Sequence, residues 1–180
     1  NGNLSLTGDI DISNNDNTTT GDNHNGILHL GSGNLTMIGN ITTGTGKEVN
    51  GIRHNGTGRV QINGTNILSV PADSTPARKT IKVNGTKSHG LLIEDGQLTT
   101  VNLTFEVGND TNASNGENNG IYIKGSTDHT KLYNNVFNIT SNKNNGISVD
   151  SANSGNINIY GNSYFDLNNT TNSNGIYHKG

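Results

Sequence analysis

Six times along the chain a short phrase returns: a polar residue, a glycine, then an aliphatic residue. It reads Asn25-Gly26-Ile27, Asn50-Gly51-Ile52, His89-Gly90-Leu91, Asn119-Gly120-Ile121, Asn145-Gly146-Ile147 and Asn174-Gly175-Ile176. The glycines lie 25, 39, 30, 26 and 29 residues apart. A repeat of this length marks a stacked array, because one such unit cannot bury its own apolar face and needs a neighbour to cover it.

Within each copy the pattern sharpens. Two residues after the aliphatic position stand His29, His54, Ile93, Ile123, Val149 and His178, while the residues between vary freely: Leu28, Arg53, Leu92, Tyr122, Ser148 and Tyr177. Alternation of period two predicts a strand with one face buried. Gly and Asn at its ends are expected to supply the left-handed or tight-turn backbone that stops a strand. A second alternating segment is marked by Leu4 and Leu6, Leu35 and Met37, Val60 and Ile62, Val101 to Val107, Val136 and Ile139, and Ile157 and Ile159. A third is marked by Ile10 and Ile12, Ile41, Ile67, and Phe165 and Leu167. The expected fold is all-β: a three-sided parallel β-helix (a β-solenoid) of about six rungs of 25–30 residues, forming one domain over 1–180. An antiparallel sandwich could use the same strands, but it does not require one motif at steady spacing.

Composition then has a cause. Asn, Gly, Thr and Ser make up 95 of the 180 residues, and hydrophobic residues only 28%. A wide core or long helices are excluded by such a set. A narrow column of Ile, Leu and Val between stacked turns is not. The net charge of −3 lacks the imbalance typical of disordered chains. Without cysteine there are no disulfides or thiolate-held metals. No apolar run is long enough for a membrane-spanning helix.

Several groups are candidates for a special role. Asn25, Asn50, Asn119, Asn145 and Asn174 would stack as a ladder of amides. His29, His54 and His178 share one inward position, with no further ligand at fixed spacing, so no metal or cofactor is expected. Acids are spread along the chain; Asp9 with Asp11 and Glu94 with Asp95 are the nearest approach to the paired carboxylates of glycoside hydrolysis. Residues 53–87 carry a net +5 while each flank carries −4. The same stretch holds the 39-residue spacing and both prolines, which places a loop insertion at about 68–80, with Arg78, Lys79, Lys82 and Lys87 as a possible binding loop. Scarce aromatics and a pI near 6.0 argue against nucleic acid as a partner.

With rungs such as Asn119-Gly120-Ile121-Tyr122-Ile123-Lys124-Gly125, the chain resembles the passenger segments of bacterial autotransporter and two-partner-secreted adhesins, or a related self-stacking fibre protein. That resemblance implies an extracellular, non-catalytic surface rod, structural or adhesive. Its partners would be further rungs, of a longer chain or of another copy stacked head to tail, and host or cell-surface glycans. A cysteine-free chain suits passengers, which cross the outer membrane unfolded. No secretion domain or C-terminal barrel pattern is visible, so an excerpt or processed piece is expected. The alternative is a carbohydrate-active β-helix enzyme of the polysaccharide lyase or hydrolase type.

Overall fold

The computed structural model describes residues 2–14, 24–63, 77–108, 117–125, 127–152, 155–167 and 170–179. Their strands form three parallel sheets of six, and the chain visits the sheets in turn, so each circuit adds one strand to all three. This is a three-sided parallel β-helix of six rungs. Sheet A holds β1 (Leu4–Thr7), β4 (Leu35–Ile38), β7 (Arg59–Asn63), β10 (Gly96–Val101), β13 (Thr127–Tyr133) and β16 (Asn156–Tyr160). Sheet B holds β2 (Ile10–Ile12), β5 (Ile41–Thr43), β8 (Lys79–Val83), β11 (Leu103–Val107), β14 (Val136–Ile139) and β17 (Tyr164–Asp166). Sheet C holds β3 (His24–His29), β6 (Val49–His54), β9 (His89–Ile93), β12 (Asn119–Ile123), β15 (Asn145–Val149) and β18 (Asn174–His178).

The repeating motif is the sheet C strand, third in each rung. Its register is strict: Ile27 pairs with Ile52, Ile52 with Leu91, Leu91 with Ile121, Ile121 with Ile147 and Ile147 with Ile176. Sheet A contributes Leu35, Met37, Val60, Ile62, Leu98 and Leu132 to the core, all fully buried. Sheet B contributes Ile41, Ile81 and then a stack of phenylalanines, Phe105 on Phe137 at 4.6 Å and Phe137 on Phe165 at 4.8 Å between ring centres. Such spacings equal the distance between paired strands, so identical residues in register must stack face to face.

Two strand assignments differ from expectation. Leu103, Phe105 and Val107, and likewise Val136 and Ile139, belong to sheet B, while sheet A in those rungs is made by β10, which includes Val101, and β13. The reason is a polar inward position: Thr100 and Thr130 are fully buried there, which erases the apolar alternation. Thr100 is satisfied by accepting a 2.7 Å bond from the Asn135 amide. In the third rung the sheet B place is taken by Ile81 and Val83 of β8. Ile67, expected to mark it, lies outside the described residues. The expected insertion at about 68–80 falls between β7 and β8; residues 64–76 lie outside the described residues, and Lys79 and Thr80 already belong to β8.

The motif glycines serve a different purpose from the expected turn. None of the six has a positive φ. A Cβ built on Gly26, Gly51, Gly90, Gly120 or Gly146 would lie 2.7 or 2.8 Å from the carbonyl oxygen of the next motif glycine. It would also meet an inward side chain of sheet B, such as Ile41 at 2.6 Å from Gly51. Glycine is present so that rungs can approach and the sheet B side chain can lie over the bare backbone. Left-handed backbone instead falls two residues before the ladder position, at Glu48, Lys87, Glu117, Lys143 and Asn172, with φ of 52–59°.

Candidate functional site

Sheet C carries most of the chain's chemistry, and its amide ladder is real but interrupted. Asn50 donates to Asn25 at 3.0 Å, Asn145 to Asn119 at 2.9 Å and Asn174 to Asn145 at 2.9 Å. The third rung has His89 in this column, where its Nδ1 accepts from Asn119 at 3.1 Å. An imidazole nitrogen that accepts cannot also donate toward Asn50. The Asn50 Oδ1 atom is accordingly buried without a partner. Burial pushes the His89 imidazole down to about 3; a contact with the Ser88 backbone opposes this, and the Lys124 charge adds to it.

One residue earlier runs a second ladder that sequence reasoning missed. The Val49 backbone N–H donates to Ser88 Oγ, Ser88 N–H to Asn118 Oδ1, Asn118 N–H to Asn144 Oδ1 and Asn144 N–H to Ser173 Oγ, at 2.9–3.2 Å. Ser88, Asn118 and Asn144 are fully buried. These side chains supply the acceptors that backbone N–H groups at the corner between sheets B and C would otherwise lack. The doublets Asn118-Asn119 and Asn144-Asn145 were the available signal.

The inward histidine position divides by rung. His54 is fully buried, its ring stacked on His29 at 4.8 Å between centres, with Nδ1 to Nδ1 at 2.9 Å. His54 Nε2 donates to the Gly58 carbonyl at 3.1 Å. With Nε2 donating, a neutral His54 accepts at Nδ1 from His29 Nδ1, and the His29 carbonyl lies 3.3 Å from the same His54 nitrogen. Burial holds the His54 imidazole below its ordinary value, the Gly58 bond opposes this, and His29 adds to the lowering. His178 shares the column through Val149 but is exposed on the last described strand. Among the described residues, no three of His, Cys, Asp and Glu are gathered as metal ligands.

The four cations proposed as a binding loop are not brought together. Arg78 lies at the corner of sheets A and B, donating to the carbonyls of Leu103 and Asn134. Lys79 and Lys82 lie in β8, with Lys82 paired in register with Glu106. Lys87 sits at the next corner, 3.5 Å from Glu117. The candidate acids are likewise engaged between rungs or locally. Asp9 accepts from the Asn40 backbone at 2.7 Å, which with the Asn40 amide holds its carboxyl below the usual range. Asp11 accepts from the Ser13 N–H and Asp95 from the Gly96 N–H. Glu94 is held by Arg53 through two bonds of 2.8 and 3.2 Å, with Lys124 at 3.7 Å. Its side chain is only 13% exposed. Glu94→Gln should therefore lower stability by about 1–2 kcal/mol, measured by urea unfolding, and the loss should shrink when Arg53 is replaced as well.

A shallow groove of about 660 Å³ opens on the outer side of sheet C, from Lys87 and His89 of the third rung to Tyr177 and Lys179 of the sixth. Tyr122, Ser148 and Tyr177 form one column along its floor. Tyr122 donates its phenol to Asp150 Oδ2 at 2.9 Å. Burial, with Asp150 adding to it, pushes that phenol up to about 12, so it stays a donor. Comparison with protein-family models, curated proteins and solved structures returns no match to this chain.

Proposed function

We propose that the protein is a non-catalytic, extracellular structural or adhesive rod whose outer described rungs are continued by further rungs, of a longer chain or of another copy stacked head to tail. The supporting observation is the match between the two outer strands of sheet C. β3 presents Asn25-Gly26-Ile27-Leu28-His29 and β18 presents Asn174-Gly175-Ile176-Tyr177-His178. Extending the register by one rung sets Asn174 over Asn25, Ile176 over Ile27 and His178 over His29. The amide ladder, the aliphatic column and the imidazole stack all continue across such a joint. Leu4 and Ile176, 42% and 50% exposed, would be covered by it. Strands at the two ends of such a stack pair with a further rung, whichever chain supplies it. The absence of cysteine fits export in an unfolded form.

One outward pair opposes stacking: the same register sets Asp166 over Asp11. Salt screens such a pair, so assembly should strengthen as ionic strength rises. Sedimentation and negative-stain images across a concentration series are expected to show rods lengthening with concentration, and Ile176→Lys should leave single folded units. Discrete short rods at every concentration and salt would overturn the stacking of copies.

A further inference from the structure

We propose that the groove over β12, β15 and β18 is a binding slot for a pyranose ring of a glycan. Its central feature is the column Tyr122, Ser148, Tyr177, in which a small residue separates two aromatic ones. The two tyrosines are two strand spacings apart, roughly 10 Å. Where two tyrosines occupy adjacent rungs, as Tyr133 and Tyr160 do, their rings stack at 4.7 Å and leave no space between them. The gap over Ser148 therefore leaves room for one guest ring between Tyr122 and Tyr177. A saturated sugar ring suits it, because its C–H faces lie against aromatic rings while its hydroxyls point to the rim.

The rim supplies partners for those hydroxyls. Asp150 accepts from Tyr122, from the Ser151 hydroxyl at 3.2 Å and from the Ser151 and Ala152 backbone, so it fixes the Tyr122 phenol at the rim, where Lys179 of the lining brings an ammonium donor. Asn145 spends one N–H on Asn119 and accepts from Asn174, so its second N–H can turn to the groove. Ser148, outward but only 7% exposed, lies covered at the base of the groove, whereas Tyr177 is 44% exposed and able to move aside for a guest. β12 and β15 are paired on both sides, which fixes Tyr122 and Ser148 before a ligand arrives, while β18, paired on one side, carries the exposed Tyr177 wall.

The test is a printed array of short oligosaccharides containing neutral hexoses, N-acetylhexosamines and uronates, followed by titration calorimetry with the bound members. The wild-type chain is expected to retain neutral pyranosides. Tyr177→Ala should weaken them at least tenfold, and Ser148→Tyr, which fills the gap with a third ring, should abolish binding. Both variants should keep the wild-type far-UV spectrum and melt within a few degrees of it. No binding by the wild type, binding that survives Ser148→Tyr, or retention of uronates alone would each overturn the slot. The inference stands apart from end-to-end stacking. A glycan that is bound and then cleaved would sink the non-catalytic reading while leaving the slot in place; a bare array would do the reverse.

Discussion

Gly90→Ala should lower stability by about 3 kcal/mol or more, read as a fall in melting temperature of about 6–12 °C for a chain of this size. A Cβ on Gly90 would lie 2.7 Å from the Gly120 carbonyl oxygen, 2.7 Å from Ile81 Cγ2 and 3.1 Å from Val83 Cγ2. The first contact is backbone of the neighbouring strand and the others are fully buried core, so nothing on either side can swing away. Relief requires the third and fourth rungs to part, which weakens the hydrogen bonds between β9 and β12. The backbone conformation is not the obstacle, since the φ of Gly90 is one that any residue can adopt. Gly31→Ala is the matched control: its nearest neighbours are at 3.8 Å. Equal melting temperatures for the two variants would show that the rungs are not packed as tightly as described.

That glycine column shows which parts of the molecule were legible in the sequence. The spacing of Asn-Gly-aliphatic phrases yields the solenoid, its rung count and the amide ladder, because stacking forces like residues into register. The glycines were also visible, but their reason was not: Gly51 faces Ile41 and Gly90, partners remote in sequence that only the closed rung brings together. Buried polar residues were hidden for a related reason. In a chain with 34 Asn, the fully buried Asn118, Asn135 and Asn144 look like the many on the surface. What distinguishes them is a backbone N–H in the adjacent rung that needs an acceptor, which is a property of corners and not of residue types. Thr100 and Thr130 misled the strand assignment because a hydroxyl with a bonded partner can sit in an apolar column. The groove was legible only in part. Tyr122, Ser148 and Tyr177 are the freely varying position of the motif, and their meaning depends on which rungs are neighbours.

His89→Asn should stabilise the protein, modestly at neutral pH and strongly in acid. At neutral pH the new amide can donate to the orphaned Asn50 Oδ1 and accept from Asn119, making the ladder continuous from Asn25 to Asn174. Satisfying one buried acceptor is worth about 1–2 kcal/mol, less whatever the edge contact of His89 with the Tyr122 ring contributes. In acid the comparison widens. The folded chain holds His89 neutral down to about pH 3, while an unfolded histidine takes up its proton near 6.5. As pH falls between those values the unfolded state binds the extra proton, so the stability associated with neutral His89 is complete above about 6.5 and drains away below it. At about pH 4 the deficit reaches up to about 3 kcal/mol. His54, also held low by burial, drains in the same direction. The lowered carboxyls of Asp9, Asp11 and Asp150 join only nearer their own ordinary range, so the interval from pH 6.5 to 4.5 isolates the histidines. Urea midpoints measured across that interval should fall steeply for the wild type and about half as steeply for His89→Asn, with the remaining slope removed by adding a neutral replacement of His54. Parallel curves for wild type and His89→Asn would mean that position 89 takes up its proton freely in the folded rod, and the broken ladder would then need another cause.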